Sequence, residues 1–240
     1  MLSWVETPPG LGRPALRRVL ESAARLQEVV PDAVLVGGSA SGLYADHRDS
    51  HDHDHVLADL AERFDAVLEA VEATSGWVTN RVTPGKIILG ELGGIESGVR
   101  QLIRRTPLEV VEVELRSGAK LRVPTAEEIL RIKGYLVIRR NQARDYLDTV
   151  ALGDHLGLDR SAAVLRRLDD YYADQRGPGA AGIATQLARQ LADPRPADPR
   201  TTEQLARFKG LDPKWADWRT VVAACRRLAV AIVDGANDDE

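Results

Sequence analysis

The sequence predicts an α+β chain: a mixed β-sheet with helices up to about Pro124, then an all-helical half. Three observations carry this. Short apolar runs of strand length, such as Ala33 to Val36 and Trp77 to Val82, alternate with helical stretches in the first half. The last clear two-residue alternation, LEVVEVEL over Leu108 to Leu115, is turned by Ser117-Gly118 into Lys120 to Val123 as a hairpin. Beyond Pro124 strand patterns disappear and apolar residues recur at helical spacing.

Taken in order, Pro8, Pro9 and Pro14 delay the first helix, expected from about Ala15 to Val30 with Leu16, Val19, Leu20, Ala23, Leu26 and Val30 on one face. It stops before Pro31-Asp32. A strand from Ala33 to Val36 breaks on Gly37-Gly38, and Ser39 is expected to N-cap a short helix over Ala40 to Ala45. Ala58 to Thr74 reads as a helix. Trp77 to Val82 and Lys86 to Leu92 read as strands joined by Thr83-Pro84-Gly85. Gly93-Gly94 and Gly98 loosen the next stretch, so Val99 to Arg105 is expected as a helical turn. After Thr125, with Glu127 and Glu128 in its first turn, a helix runs to about Arg139. Arg144 to Leu156, Ser161 to Gln175, Ile183 to Leu191 and Pro213 to Val233 are the remaining helices. Asp193 to Pro199, with three prolines, is a linker or exposed loop. The tail from Gly235 is acidic and expected to fray.

Composition narrows the class. A net charge of -4 gives no global attraction to nucleic acid, so any basic surface is local. Cys225 is the only cysteine, which excludes a disulfide framework, fits a reducing cytoplasm and suggests a buried structural thiol. No run is long and apolar enough for a membrane span, and MLSWVETPPG lacks a signal-peptide pattern. The expectation is a soluble, cytoplasmic protein without a membrane partner.

The chemistry concentrates between Val34 and Val56, VLVGGSASGLYADHRDSHDHDHV. In a strand Asp52 and Asp54 share one face, and His51, His53 and His55 share the other. Two neighbouring carboxylates repel unless a cation lies between them, and oxygen-only ligation suits Mg²⁺. A Gly-Gly-Ser turn that opens a helix offers backbone N–H groups and a positive helix end, which is a phosphate seat. A second cluster lies on the two helices after Pro124. Lys133 is set among Ile129, Leu130, Ile132, Leu136 and Val137, and a lysine there needs an anion. Asp145 and Asp148 lie three residues apart on the following helix, with Arg139, Arg140 and Arg144 around the connection.

Gly37, Gly38, Ser39, Tyr44, His47, Arg48, Ser50, Asp52 and Asp54, followed by Lys133 and then Arg144, Asp145 and Asp148, resemble the nucleotidyltransferase toxins of type IV toxin–antitoxin systems (AbiEii- or MenT-like). These belong to the polymerase-beta-like nucleotidyltransferase superfamily. One departure is His53, at a position usually apolar in the family. The resemblance spans residues 34 to 152. It implies a nucleotidyltransferase core over residues 1–124 and a helical domain over 125–240 that completes the active site.

The implied roles are Mg²⁺ on Asp52 and Asp54, and the triphosphate of an NTP on Ser39 and the Gly38 and Ser39 amides. Lys133 would neutralise departing phosphate. Asp148, or Asp145, would take the proton of the attacking hydroxyl. Glu112 or Glu114 would supply a third carboxylate. The implied reaction is transfer of nucleotides to RNA, tRNA 3′ ends foremost, with Arg104, Arg105, Arg139, Arg140 and Arg144 on the acceptor backbone. A cognate antitoxin protein is an implied partner. The same fold acting on a small molecule or a protein, and a degenerate member that only binds, stay open.

Plainer readings stand beside these. Gly37-Gly38-Ser39 alone describes an ordinary strand-to-helix turn, and Asp52 and Asp54 alone describe a charged strand edge. Lys133 with Asp145 or Asp148 describes an interhelical ion pair. The alternating histidines suggest a metallohydrolase only superficially, because ligands on opposite strand faces do not converge on one ion and the His-x-His-x-Asp-His order is absent.

Overall fold

The computed structural model describes residues 8–237. The chain is mixed α+β and divides into two compact units. The first holds the described residues up to Ile103 together with Pro107–Thr125, and the second holds Arg104–Thr106 together with the residues from Ala126 onward.

In the first unit, α1 (Pro14–Val29) starts with proline at its first position, where the missing N–H costs nothing. Its buried stripe includes Leu16, Val19, Leu20, Ala23 and Leu26. β1 (Val34–Val36) is fully buried and runs directly into α2 (Gly37–Ala45). Gly37 has φ +76°, a conformation that only glycine adopts without strain. Helix α2 is built of small residues because the turn Pro9–Gly12 lies against it: a Cβ on Gly10 would stand 2.3 Å from the Gly42 carbonyl oxygen.

β2 (His53–Leu57) is antiparallel to β1 and parallel to β5 (Ile95–Gln101). α3 (Phe64–Glu72), β3 (Trp77–Thr83) and β4 (Ile87–Leu92) complete a five-stranded sheet of order β1-β2-β5-β4-β3. One core joins Leu26 and Val30, Phe64, Val67 and Val71 of α3, and Leu57, Trp77, Ile88, Leu92 and Val99 of the strands. β6 (Val110–Glu114) and β7 (Lys120–Pro124) form a separate two-stranded sheet, tied to α2 where Tyr44 Oη donates to the Pro124 carbonyl at 2.7 Å.

In the second unit, α4 (Ala126–Arg140), α5 (Ala143–Leu156) and α6 (Leu158–Arg166) are followed by α7 (Leu168–Tyr172), α8 (Ile183–Ala192), α9 (Pro199–Thr202) and α10 (Trp218–Asn237). Their core includes Ile129, Leu130, Tyr146, Leu147, Leu165, Leu187, Leu191, Cys225 and Leu228. Cys225 is the expected buried thiol, and burial pushes it up to about 12.

Several elements differ from expectation. Val99 to Arg105 is not a helical turn. Its first residues belong to β5, because Gly93-Gly94 form a two-residue hairpin loop with φ +60° and +77° and send the chain back along β4. The helix read from Ala58 begins only at Phe64, and the one read over Ser161 to Gln175 is broken at Arg167 into α6 and α7. The loop over Asp193–Pro199 is pinned: Asp198 Oδ1 accepts the Ala143 N–H at 2.8 Å at the start of α5, and Asn141 Nδ2 donates to the Arg195 carbonyl at 2.7 Å. α10 continues past Gly235 to Asn237, and the rest of the acidic tail lies outside the described residues.

Candidate active site

The strand β2 carries two chemistries on its two faces. His53 and His55 point toward α1 and are almost fully buried, at 1% and 0% exposure. His53 Nε2 lies 3.0 Å from Ser22 Oγ and 2.9 Å from Ser97 Oγ. Burial lowers the His53 imidazole to about 4 against the opposing pull of Asp52, and burial, then the neighbouring His53, drives His55 well below its ordinary value. Both are core histidines.

This has a consequence for pH. The unfolded imidazoles bind protons below about 6.5 and the folded ones do not, so their contribution is complete above pH 6.5 and is lost as pH falls toward 4. Urea unfolding at pH 7 and pH 5 is expected to show a loss of roughly 2 kcal/mol from His53, with His55 adding in the same direction. A His53→Gln variant is expected to show a smaller drop between the two pH values.

Asp54 lies on the opposite face, with Asp52 two residues earlier. Ser50 Oγ donates to Asp52 Oδ1 at 2.8 Å, and Arg100 Nε lies 3.2 Å from Asp54 Oδ1. Two glycines make room for Asp54. A Cβ on Gly37 would stand 3.5 Å from Asp54 Oδ2, and one on Gly98 would stand 3.1 Å from Asp54 Oδ1 and 2.7 Å from Leu89 Cδ2. Gly38 is just as constrained, since its Cβ would stand 2.8 Å from both Arg48 Nη2 and Ser50 Oγ. The Gly-Gly-Ser start of α2 and the aspartates are therefore adjoining parts of one surface. A cavity of about 250 Å³ beside them is lined by Asp52, Asp54, Asn80, Arg81, Glu96 and Arg100, among others.

Ser39 is placed differently from expectation. Val36 is the N-cap and Ser39 lies inside the first turn of α2, where its hydroxyl donates to the Asp52 carbonyl at 2.5 Å. It ties the helix start to the aspartate segment, and the first-turn N–H groups are the donors that a helix start offers to an anion.

The donor set suits a hard divalent cation. Asp54 of β2 and Asp52, just before the strand, both border the cavity with carboxylates, and Mg²⁺ is ordinarily held by one or two carboxylates plus water and substrate phosphate. Among the described residues no group of three or more His, Cys, Asp or Glu is arranged to hold a metal by itself. Glu112 and Glu114 lie on the separate β6–β7 hairpin, where Glu112 pairs with Lys120 at 2.7 Å. The acid that borders the cavity is Glu96 on β5. It was missed because glycines disguised that strand, although the alternation of Glu96, Gly98 and Arg100 with Ser97 and Val99 was the available signal.

In the second unit, Lys133 of α4 reaches Asp148 of α5 at 2.7 Å and Asp145 at 3.9 Å, all nearly fully buried. Burial raises the Asp145 carboxyl, with Lys133 pulling the other way, and its Oδ2 has no hydrogen-bond donor. Arg139, Arg140, Arg144 and Arg105 are exposed. Arg104 is not available to an acceptor. Its side chain is fully buried, 2.7 Å from Glu128 Oε1, and stacks over Tyr172. Glu128 also binds Arg131 at 2.8 Å.

A mixed sheet whose second strand carries Asp54, with Asp52 just before it and a Gly-Gly-Ser helix start alongside, is a nucleotidyltransferase fold. Comparison with known proteins agrees at this level. MenT4, a nucleotidyltransferase toxin from Mycobacterium tuberculosis, superposes with a TM-score of 0.51 over 94% of this chain and 87% of its own, at 18% identity. In sequence the chain is 32% identical over 245 residues to heme uptake protein MmpL11 of M. tuberculosis, covering 92% of this chain and 23% of that protein. It is 40% identical over 133 residues to the mycolic acid-containing lipids exporter MmpL11 of Mycolicibacterium smegmatis, covering 55% and 13%. The chain thus spans about a quarter of the length of the M. tuberculosis relative, or less. No family model matches. No described helix is long and apolar enough to cross a membrane.

Proposed function

We propose that the chain is a Mg²⁺-dependent nucleotidyltransferase that moves a nucleotide from an NTP to RNA, a tRNA 3′ end foremost, as a toxin of the type IV kind does. The observation that carries this reading is the adjacency of the α2 start to Asp54, with Gly37 and Gly98 keeping the carboxylate clear of Cβ atoms. Transfer requires a phosphate seat and a charge-neutralising site side by side.

In this reading the first-turn N–H groups of α2, including those of Gly38 and Ser39, hold the triphosphate. Ser39 fixes their position through the Asp52 carbonyl, and Asp52 and Asp54 hold the cation. Bound Mg²⁺ would supply neutralisation of phosphate charge. The acceptor hydroxyl oxygen bonds to the α-phosphorus, the bond from that phosphorus to the bridging oxygen of the β-phosphate breaks, and pyrophosphate leaves. The hydroxyl proton passes to water. Within the second unit Lys133 balances the charge of Asp148 and Asp145. Exposed Arg105, Arg139, Arg140 and Arg144 are the acceptor-backbone candidates of the second unit. An antitoxin partner and a cytoplasmic setting belong to the same proposal. The names of the sequence relatives describe whole proteins several times longer, and transport is not carried over from them.

An acceptor panel tests the reading. Each labelled NTP is incubated with Mg²⁺ and tRNA, an aminoglycoside or a protein mixture. Label on tRNA is the expected result. Label on the small molecule or protein alone would move the acceptor class, and neither NTP binding nor incorporation would overturn the proposal.

A further inference from the structure

The sheet carries a feature that the transfer reading alone does not use. Along β3 the register with β4 slips at one place: Thr79 pairs with Gly90, Arg81 pairs with Leu89, and Asn80 is the extra residue of a β-bulge. In a regular register Asn80 would pair with Leu89 and Arg81 with Ile88, whose side chain is fully buried in the core. A one-residue slip reverses the face of every following side chain. The bulge therefore places Arg81 on the aspartate face, and both Asn80 and Arg81 line the cavity that contains Asp52 and Asp54.

The placement is specific. Arg81 pairs with Leu89, Leu89 with Gly98 and Gly98 with Asp54, so the four stand in one row across β3, β4, β5 and β2. At about 4.8 Å per strand, Arg81 stands roughly 14 Å from Asp54. Gly98 leaves the middle of the row open, and Arg100, two residues along β5 on the same face, adds a second cation beside Asp54.

Direction follows from the chemistry. In an in-line displacement the attacking and leaving oxygens lie on opposite sides of the reacting phosphorus. The phosphate seat at the start of α2 follows β1, on one side of β2, whereas β5, β4 and β3 lie on the other. A nucleophile that comes from over those three strands meets this requirement. We infer that the acceptor is a phosphate-bearing strand lying across β5, β4 and β3, with Arg81 and Arg100 on its backbone phosphates and Asn80 beside them. This rests on the nucleotidyltransferase reading and adds the acceptor's path. Glu96 on the same face disfavours a bare polyanion near Asp52, which confines the phosphate contacts to the Arg100 and Arg81 end.

The test is binding of a short fluorescent oligoribonucleotide to the full chain in Mg²⁺ over a range of salt, read by anisotropy, with NTP affinity measured separately for the wild type and Asp54→Ala. Each arginine removed is expected to reduce the salt slope by about 0.7 and to weaken binding on the order of threefold to tenfold at low salt. Arg81→Ala and Arg100→Ala show this singly, Arg81→Glu shows more, and Arg81→Lys recovers the slope. Circular dichroism confirms that each variant is folded. An unchanged slope in Arg81→Ala and Arg81→Glu overturns the path. A wild type that binds NTP but no oligoribonucleotide also overturns it while leaving nucleotidyl transfer standing, whereas loss of NTP binding in the wild type strikes the underlying reading.

Discussion

Asp54→Ala is expected to lower nucleotidyl transfer by about a thousandfold or more, because in the proposed reading Asp54 would hold the cation, a role that contributes several kcal/mol to transition-state charge balance, and each 1.36 kcal/mol is a factor of ten. The same change is expected to cost little stability. Asp54 and Arg100 are 34% and 41% exposed, and a pair exposed to that degree contributes about 1 kcal/mol or less. The combination separates a chemical role from a structural one. Asp54→Glu keeps the charge but lengthens the arm within a space bounded by Gly37 and Gly98, so it is expected to recover only a small part of the rate. Steady-state transfer assays paired with urea unfolding of the three proteins give both readings. A rate within tenfold of wild type in Asp54→Ala would remove Asp54 from the chemistry.

The second large effect is on stability. Glu128→Ala is expected to destabilise the chain by roughly 3–5 kcal/mol, the range for removing one partner from a buried ionic cluster. Glu128 is fully buried and is shared by two guanidiniums, that of Arg104 at 0% and that of Arg131 at 9% side-chain exposure. Arg104 lies over the Tyr172 ring and Arg131 over the Tyr171 ring, 4.9 Å and 4.1 Å from the centroids. Those faces retain some attraction for the cations but do not replace the carboxylate. Glu128→Gln keeps a carbonyl oxygen for one guanidinium and is expected to cost less. Urea midpoints for the two variants test this. A loss under about 1 kcal/mol for Glu128→Ala would mean that the cluster is not the anchor that its burial indicates.

How much of this was legible in the sequence follows from what each element depends on. The two-faced β2 was readable because a strand alternates whatever surrounds it, so Asp54 and the two histidines separated as expected. The helical second half was readable from periodicity. β5 was not: Gly98 looks like a strand breaker, yet it is glycine because Asp54 and Leu89 crowd its Cβ direction from neighbouring strands. Ser39 was misplaced because the helix starts three residues earlier, on the positive φ of Gly37, which leaves the hydroxyl to bond the Asp52 carbonyl. Arg104 read as a surface cation because its counter-ion lies 24 positions along the chain, where local pattern carries no information. The bulge at Asn80 has no glycine or proline to mark it. It arises from register between two strands, and with it the position of Arg81 was invisible.

The most direct test of the central claim uses one NTP labelled in turn at the α- and the γ-phosphate, incubated with the chain, Mg²⁺ and tRNA whose 3′ ends are either intact or periodate-oxidised. The account predicts α-label joined to intact tRNA, none on oxidised tRNA, and γ-label released as pyrophosphate. Transfer of the γ-label, or α-label bound equally to oxidised tRNA, would contradict it.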